Sequence, residues 1–184
     1  MFNEECKPPE YDPELAKRLL AEAGFPDGID VTLYTSTAGA AMVEMSTVFK
    51  ERAAPAGINV NIEVTPEDGY WADVWLQKPF TTVWWGGRPP YEAVSVVYPT
   101  GAPWNESYWS SPELDGLLDE ALGAAEPEDQ KRIFGRIQCI LVEEVPRIIP
   151  VFRPVSLGMR NNVQDFLPMW DATMILHTVR LGDQ

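Results

Sequence analysis

Two clusters in this chain combine side chains that could handle a ligand. The first is Trp84-Trp85-Gly86-Gly87-Arg88, where two indoles and a guanidinium flank a flexible pair of glycines. The second is Trp104-Asn105, an aromatic plate beside an amide that can donate and accept. Indole faces take flat or apolar groups and cations, whereas an arginine edge matches a carboxylate or phosphate through two parallel hydrogen bonds. Arg88 could equally be a surface arginine stacked on Trp84 or Trp85. The aromatics around Trp104 could equally plug a long loop onto the body of the fold. Catalysis finds little here: His177 is the one histidine and reads as a structural or surface residue, and no GxSxG, HExxH, Walker loop or GxGxxG is present. Paired carboxylates could serve glycoside hydrolysis with tryptophans as sugar platforms, which keeps a carbohydrate-active enzyme or sugar-binding module as a rival reading. No metal or cofactor motif stands out, so catalytic residues, metal ligands and cofactors are all expected to be none. Cys6 and Cys139 match no CxxC or zinc spacing, and spacing leaves open whether they pair.

The first cluster needs a scaffold. Phe80-Thr81-Thr82-Val83-Trp84-Trp85 is β-branched or aromatic throughout, which predicts a strand apolar on both faces and hence the most central one, ending at the glycines. In an open α/β sheet the binding crevice lies beyond the carboxyl ends of the strands. If both tryptophans belong to that strand they point to opposite faces, and only one can meet a ligand.

Upstream, Asp12 caps a helix with Pro13 at its first position, Leu15, Leu19, Leu20 and Ala23 on one face, and Gly24 as its stop. Ile29 to Thr35 alternates as a strand. A second helix spans about residues 40–54, with Met42, Met45, Val48, Phe49 and Arg52 at helical spacing. Ile58, Val60, Ile62 and Val64 then alternate with Asn59, Asn61 and Glu63 in a second strand, parallel to the first if the crossover is right-handed. Thr65-Pro66-Glu67-Asp68 opens a short helix bearing Tyr70, Trp71, Val74 and Trp75. From Gly86 to Ser111 no period holds, and so long a loop is usually functional. Two helices follow, the first with Ser110 and Glu113 at capping-box spacing around Pro112, the second from Pro127 to Pro146. Residues 147–152 and 156–159 read as short strands, and the apolar patches of the tail, at Phe166-Leu167, Met169-Trp170 and Met174-Ile175-Leu176, have no clear period.

The balance of 14 basic against 28 acidic residues, a net charge of −14, argues against nucleic acid as a partner. It fits a solvated surface. The 184 residues suffice to bury roughly two thirds of the unfolded surface. No apolar run is long enough to span a membrane, and the acidic Met1-Phe2-Asn3-Glu4-Glu5 is not a signal peptide; in an intact protein that would mean cytoplasm, in a fragment nothing.

Several motifs, in order, carry a family likeness. Tyr11-Asp12-Pro13-Glu14-Leu15-Ala16-Lys17-Arg18-Leu19-Leu20-Ala21-Glu22-Ala23-Gly24-Phe25-Pro26-Asp27-Gly28 before a strand resembles the start of the second large lobe of family 5 extracellular solute-binding proteins, the receptors of peptide, nickel and related ABC importers. Ala56-Gly57-Ile58-Asn59-Val60 resembles the family's helix–glycine–strand junction. Trp104-Asn105 through Tyr108-Trp109-Ser110-Ser111-Pro112-Glu113-Leu114-Asp115 is similar to its asparagine-plus-"pelD" segment. Lys131-Arg132 to Pro146, then Ile148-Ile149-Pro150-Val151-Phe152, resembles the helix and strand that lead back toward the first lobe. The likeness runs over roughly residues 11–160.

It implies an α/β, type II periplasmic-binding-protein-like lobe, a mostly parallel sheet flanked by helices. Residues 1–10 would be an arm, 11–160 the ligand-binding C-terminal lobe of a two-lobe receptor, and 161–184 a tail that completes the missing lobe. The implied partners are a small solute, the ABC permease subunits in the membrane and the missing N-terminal lobe. The implied location is periplasmic or extracellular, with a lipid anchor open to it. Ligand-facing residues would be Trp84, Trp85, Gly86, Gly87, Arg88, Trp104 and Asn105. The implied solute is an oligopeptide or a peptide-like or anionic conjugate; peptide-binding members carry an Asp shortly after the tryptophan–glycine pair, and its absence among Gly86, Gly87, Arg88 and Pro89 shifts the expectation away from a peptide and toward an anionic solute such as an acidic amino-acid or sugar-acid conjugate.

Overall fold

The computed structural model describes residues 3–152, 154, 156–169 and 174–182. Helix α1 (Pro13–Glu22) begins as the sequence dictates, with Asp12 accepting from Leu15 N and Pro13 in the first turn. Its apolar face is largely uncovered, and no residue of α1 is buried. Ala23 closes it and Gly24 turns the chain with φ +94°.

Strands β1 (Ile29–Ser36) and β2 (Ile58–Thr65) pair in parallel from Ile29↔Ile58 to Ser36↔Thr65, joined through α2 (Met42–Ala53). The buried face of α2 is Met42, Ser46 and Ala53, with Phe49 half-buried; Val48 points to solvent, rotated off the expected stripe. Leu33, Ala53 and Val60 form the core between helix and sheet. At the start of the sheet, Gly28 (φ +91°) and Gly57 (φ +82°) touch backbone to backbone, and Ile29 N donates to Gly57 O at 2.9 Å. A Cβ on Gly28 would collide with that carbonyl. Gly28→Ala is therefore expected to cost about 2 kcal/mol, from a left-handed backbone and an overpacked contact together, read as a lower urea midpoint at unchanged slope.

The expected third strand is the main departure. Phe80 to Trp85 is not a central strand: it meets β1 only at Thr81, as one parallel bridge to Tyr34, flanked by Tyr34 N→Phe80 O and Thr82 N→Tyr34 O at 3.0 Å each. The middle strand is β1, with β2 on one side and this single bridge on the other. Trp85 of this run packs into an aromatic cluster and Trp84 is half-exposed, so its apolar character does not come from a sheet covering both faces.

Before it, α3 (Glu67–Gly69) passes into a π-helical turn over Tyr70–Val74, closed by Trp75 N→Tyr70 O at 2.9 Å. Met42, Tyr70 and Val74 pack together there. The segment 86–111, expected to be irregular, holds one short helix, α4 (Pro90–Ser95). Helices α5 (Pro112–Gly123) and α6 (Pro127–Glu144) pack with α4 into a second core around Val94, Leu114, Leu118, Ile133 and Ile137. The α5 cap is Ser111, which accepts from Leu114 N; Ser110 plays no such part, and Glu113 turns to Arg136 instead. Cys6 and Cys139 form a disulfide that pins the N-terminal arm to α6.

After α6 the expected strands at 147–152 and 156–159 are absent among the described residues. Pro150 and Pro154, which cannot donate to a ladder, interrupt this stretch. The tail forms two antiparallel pairs, β3 (Val163–Gln164) with β6 (Arg180–Leu181) and β4 (Leu167–Pro168) with β5 (Met174–Ile175). Met174-Ile175 of the expected apolar patches thus sits in β5, whereas Trp170 lies outside the described residues.

Candidate functional site

Where the chain leaves β1's edge it enters an open recess of about 330 Å³ lined by Trp71, Trp75, Trp84, Trp85, Trp104 and Arg88, with Ala38, Val83 and Gly86 between them. Tyr70 anchors the segment that lines it. Its ring is fully buried, and its hydroxyl donates to Thr82 O at 2.5 Å, two residues before Trp84. Thr82 Oγ1 donates in turn to Thr35 Oγ1 at 2.8 Å, tying the loop to β1. The π-helical turn spaces Trp71 and Trp75 so that their rings meet edge to face at 5.9 Å, and Trp75, Trp85 and Trp104 then contact one another pairwise at 5.7–6.4 Å.

Because Thr82 to Pro89 is not a strand, the alternation argument for the two tryptophans lapses and both line the recess. Trp84 is half-exposed and lies against Gly39, where a Cβ would stand 2.8 Å from its Nε1. Trp85 is partly buried and packs on the helical core. Arg88 stacks over Trp85, 4.8 Å from the ring centroid, and its Nε donates to Glu92 Oε1 at 3.0 Å.

Of the residues singled out from sequence, Trp84, Trp85, Gly86, Arg88 and Trp104 converge on this recess. Gly87 is exposed beside it and does not line it. Asn105 turns away: it is buried, its Nδ2 donates to Pro99 O and Trp109 O, and its Oδ1 accepts from Ser107. Its amide is spent on shaping the long loop.

Sequence reasoning passed over Trp71 and Trp75 as site residues, although their spacing just ahead of the strand-like run is a visible signal. It had no means of finding Glu106 and Arg147. Glu106 accepts from Trp75 Nε1 at 2.5 Å and pairs with Arg147 Nη2 at 2.5 Å, the two side chains being only 11% and 18% exposed. Arg147 also lies over the rings of Trp85 and Tyr98, at 5.7 and 5.3 Å. One buried ion pair thus braces the aromatic floor from below.

Burial pushes the Tyr70 hydroxyl above its ordinary pKa of 10.0 against the opposing pull of its bonds to Thr82. Burial likewise raises Tyr98, with Arg147 pulling it down and Glu106 adding to the rise. Raised values mean that the folded protein holds these protons more tightly than the unfolded chain. Their stability contribution is therefore complete below pH 10 and is lost as the pH climbs through the folded-state values. A spectrophotometric titration of the six tyrosines should show this pair ionising late and together with loss of near-UV circular dichroism. Ionisation of all six in one step near the ordinary value, with the fold intact, would contradict it.

The family described as "Bacterial extracellular solute-binding proteins, family 5 Middle" matches residues 2–108. Heme-binding protein A of Haemophilus influenzae is 26% identical over 177 residues, 89% of this chain and 32% of that protein. Glutathione-binding protein GsiB of Salmonella choleraesuis is 25% identical over 186 residues, 93% of this chain and 36% of its own length. Among solved structures, HbpA2 from Haemophilus parasuis aligns over 98% of this chain and 38% of its own with a TM-score of 0.77 at 17% identity, a likeness of fold. The chain spans about a third of the length of these relatives. The rival reading as a carbohydrate-active enzyme or sugar-binding module draws no support from them. The fold is that of the type II periplasmic binding proteins, and with more than half of its residues inside the family match the chain belongs to the family 5 bacterial extracellular solute-binding proteins.

Proposed function

We propose that this chain is one lobe of the solute-binding component of an ABC importer, and that the tryptophan-lined recess is its half of the solute cleft. The observation that carries this is the convergence of five indoles and one arginine on a single open recess beside the end of β1. The solute is a small peptide or peptide-like anionic conjugate, with apolar groups on the indoles and a carboxylate at Arg88, and it passes unaltered to the permease subunits. A relative named for glutathione, an anionic tripeptide, is consistent with that class. The protein works in the periplasm or at the outer face of the cell membrane and performs no chemistry of its own.

Residues 11–160 form the lobe, residues 1–10 its arm, and the tail 161–184 completes the partner lobe. Past α6 the chain exposes Ile148, Ile149, Val151, Phe152, Leu157 and Met159, with Phe152 at 88%. So long an apolar run on a monomer's surface calls for a covering partner, and the other lobe of the same receptor is the partner we assign.

Calorimetry with glutathione and with pooled di- and tripeptides, on this chain and on the full-length receptor, tests the proposal. The chain alone should bind at least about a hundredfold more weakly, since half of the burying surface is missing. Tight, specific binding by the chain alone would count against a shared cleft.

A further inference from the structure

Arg88 is the one charged side chain lining the recess among the described residues. Its guanidinium face rests on Trp85 and its Nε is bonded to Glu92, but among the described residues Nη1 and Nη2 find no acceptor. The Nε–Nη2 edge of a guanidinium matches a planar, two-oxygen acceptor, and here it is met by a single Glu92 oxygen. The same unit holds a second unspent donor: Trp85 Nε1 is the buried side-chain polar atom left without a partner among the described residues. Glu92, in the first turn of α4 and four residues past Arg88, is half-exposed, in a single-bond pair of the kind that contributes little in water.

We propose that Glu92 holds the place of a solute carboxylate. In the solute-free lobe it keeps Arg88 neutralised and laid over Trp85. When solute enters, its carboxylate takes the Nε edge that Glu92 occupied, pairing with Nε and the free Nη2, and Glu92 swings to solvent, where an exposed carboxylate is readily hydrated. The exchange trades a weak ion pair for a two-bond one inside a closing cleft, where charge pairs are screened less. A neutral or amidated solute cannot make the trade. On a chain of net charge −14, this local cation is also what offsets the repulsion met by an anionic solute. Glu92 thus sets the threshold that selects carboxylate-bearing solutes, and the inference rests on reading the recess as the solute cleft.

The test uses the full-length receptor and two pools of apolar and aromatic dipeptides, one as free acids, the other as C-terminal amides. Thermal shift screens the pools and calorimetry follows the strongest hit. The acids should bind about tenfold or more tightly than their amides. Glu92→Gln should tighten the acids about two- to fivefold and leave the amides unchanged. Arg88→Ala should abolish the difference between acid and amide. Equal binding of acid and amide, or acid affinity unmoved or weakened in Glu92→Gln, overturns the inference while leaving the cleft in place. If neither pool shifts the receptor, the cleft reading fails and the inference with it.

Discussion

Arg147→Ala is expected to lower stability by about 3 kcal/mol and to loosen the tryptophan floor of the recess. The reason lies in what the substitution leaves behind. Glu106 is nearly buried and has two partners, Arg147 and the Trp75 indole N–H. Without the guanidinium its charge would keep one neutral donor, and a buried carboxylate in that position is far costlier than the pair was. The rings of Trp85 and Tyr98 would also lose the cation above them. Urea unfolding should register the loss, and the near-UV circular dichroism of the tryptophans should weaken even where the protein stays folded. Arg147→Ala combined with Glu106→Gln should recover part of the stability, because the stranded charge is gone. A single variant as stable as the wild type, with an unchanged tryptophan spectrum, would show that the pair does not brace the site.

Cys139→Ser should cost a comparable amount, about 2–5 kcal/mol, by freeing the arm from α6. The crosslink spans 133 residues, so its loss returns a large loop-closure entropy to the unfolded chain. In the folded state the arm keeps other ties: Asn3 N donates to Gln138 Oε1 at 3.0 Å, and Gln138 Nε2 donates to Asn3 O and Cys6 O at 2.8 Å each. These fix the arm's path but are partly exposed and contribute modestly. The wild type unfolded with and without reductant provides the same comparison without mutation. Coincident melting curves would mean that the disulfide contributes nothing.

A good part of the fold was legible locally. Asp12 with Pro13 sets the start of α1, the alternation of Ile58 to Val64 defines β2, and the leucines and isoleucines after Pro112 and Pro127 place α5 and α6. Such signals are read over a single turn or pleat, so neighbouring residues suffice to decide them. The family likeness built on these stretches, and the α/β fold it implied, agree with the family match and the shared fold.

Tertiary structure decided the rest. Phe80 to Trp85 has every local mark of a strand, yet Tyr70 and the other indoles draw it off the sheet after one bridge at Thr81. The capping-box spacing pointed to Ser110, yet the cap is Ser111, since the choice depends on which backbone N–H the packed helix presents. Residues 147–152 and 156–159 carry strand-like sequence, yet among the described residues they pair with no strand. The recess itself joins the π-helical turn, the loop after the bridge to β1 and Trp104 of the long loop, with Arg147 from beyond α6 packed on the ring of Trp85. Trp75, Glu106 and Arg147 meet there from distant parts of the chain, and no period in the sequence encodes a contact of that range. The sequence by itself determined which indoles and which arginine are present; only packing decided that five indoles share one wall, and that Arg88 faces it already paired with Glu92.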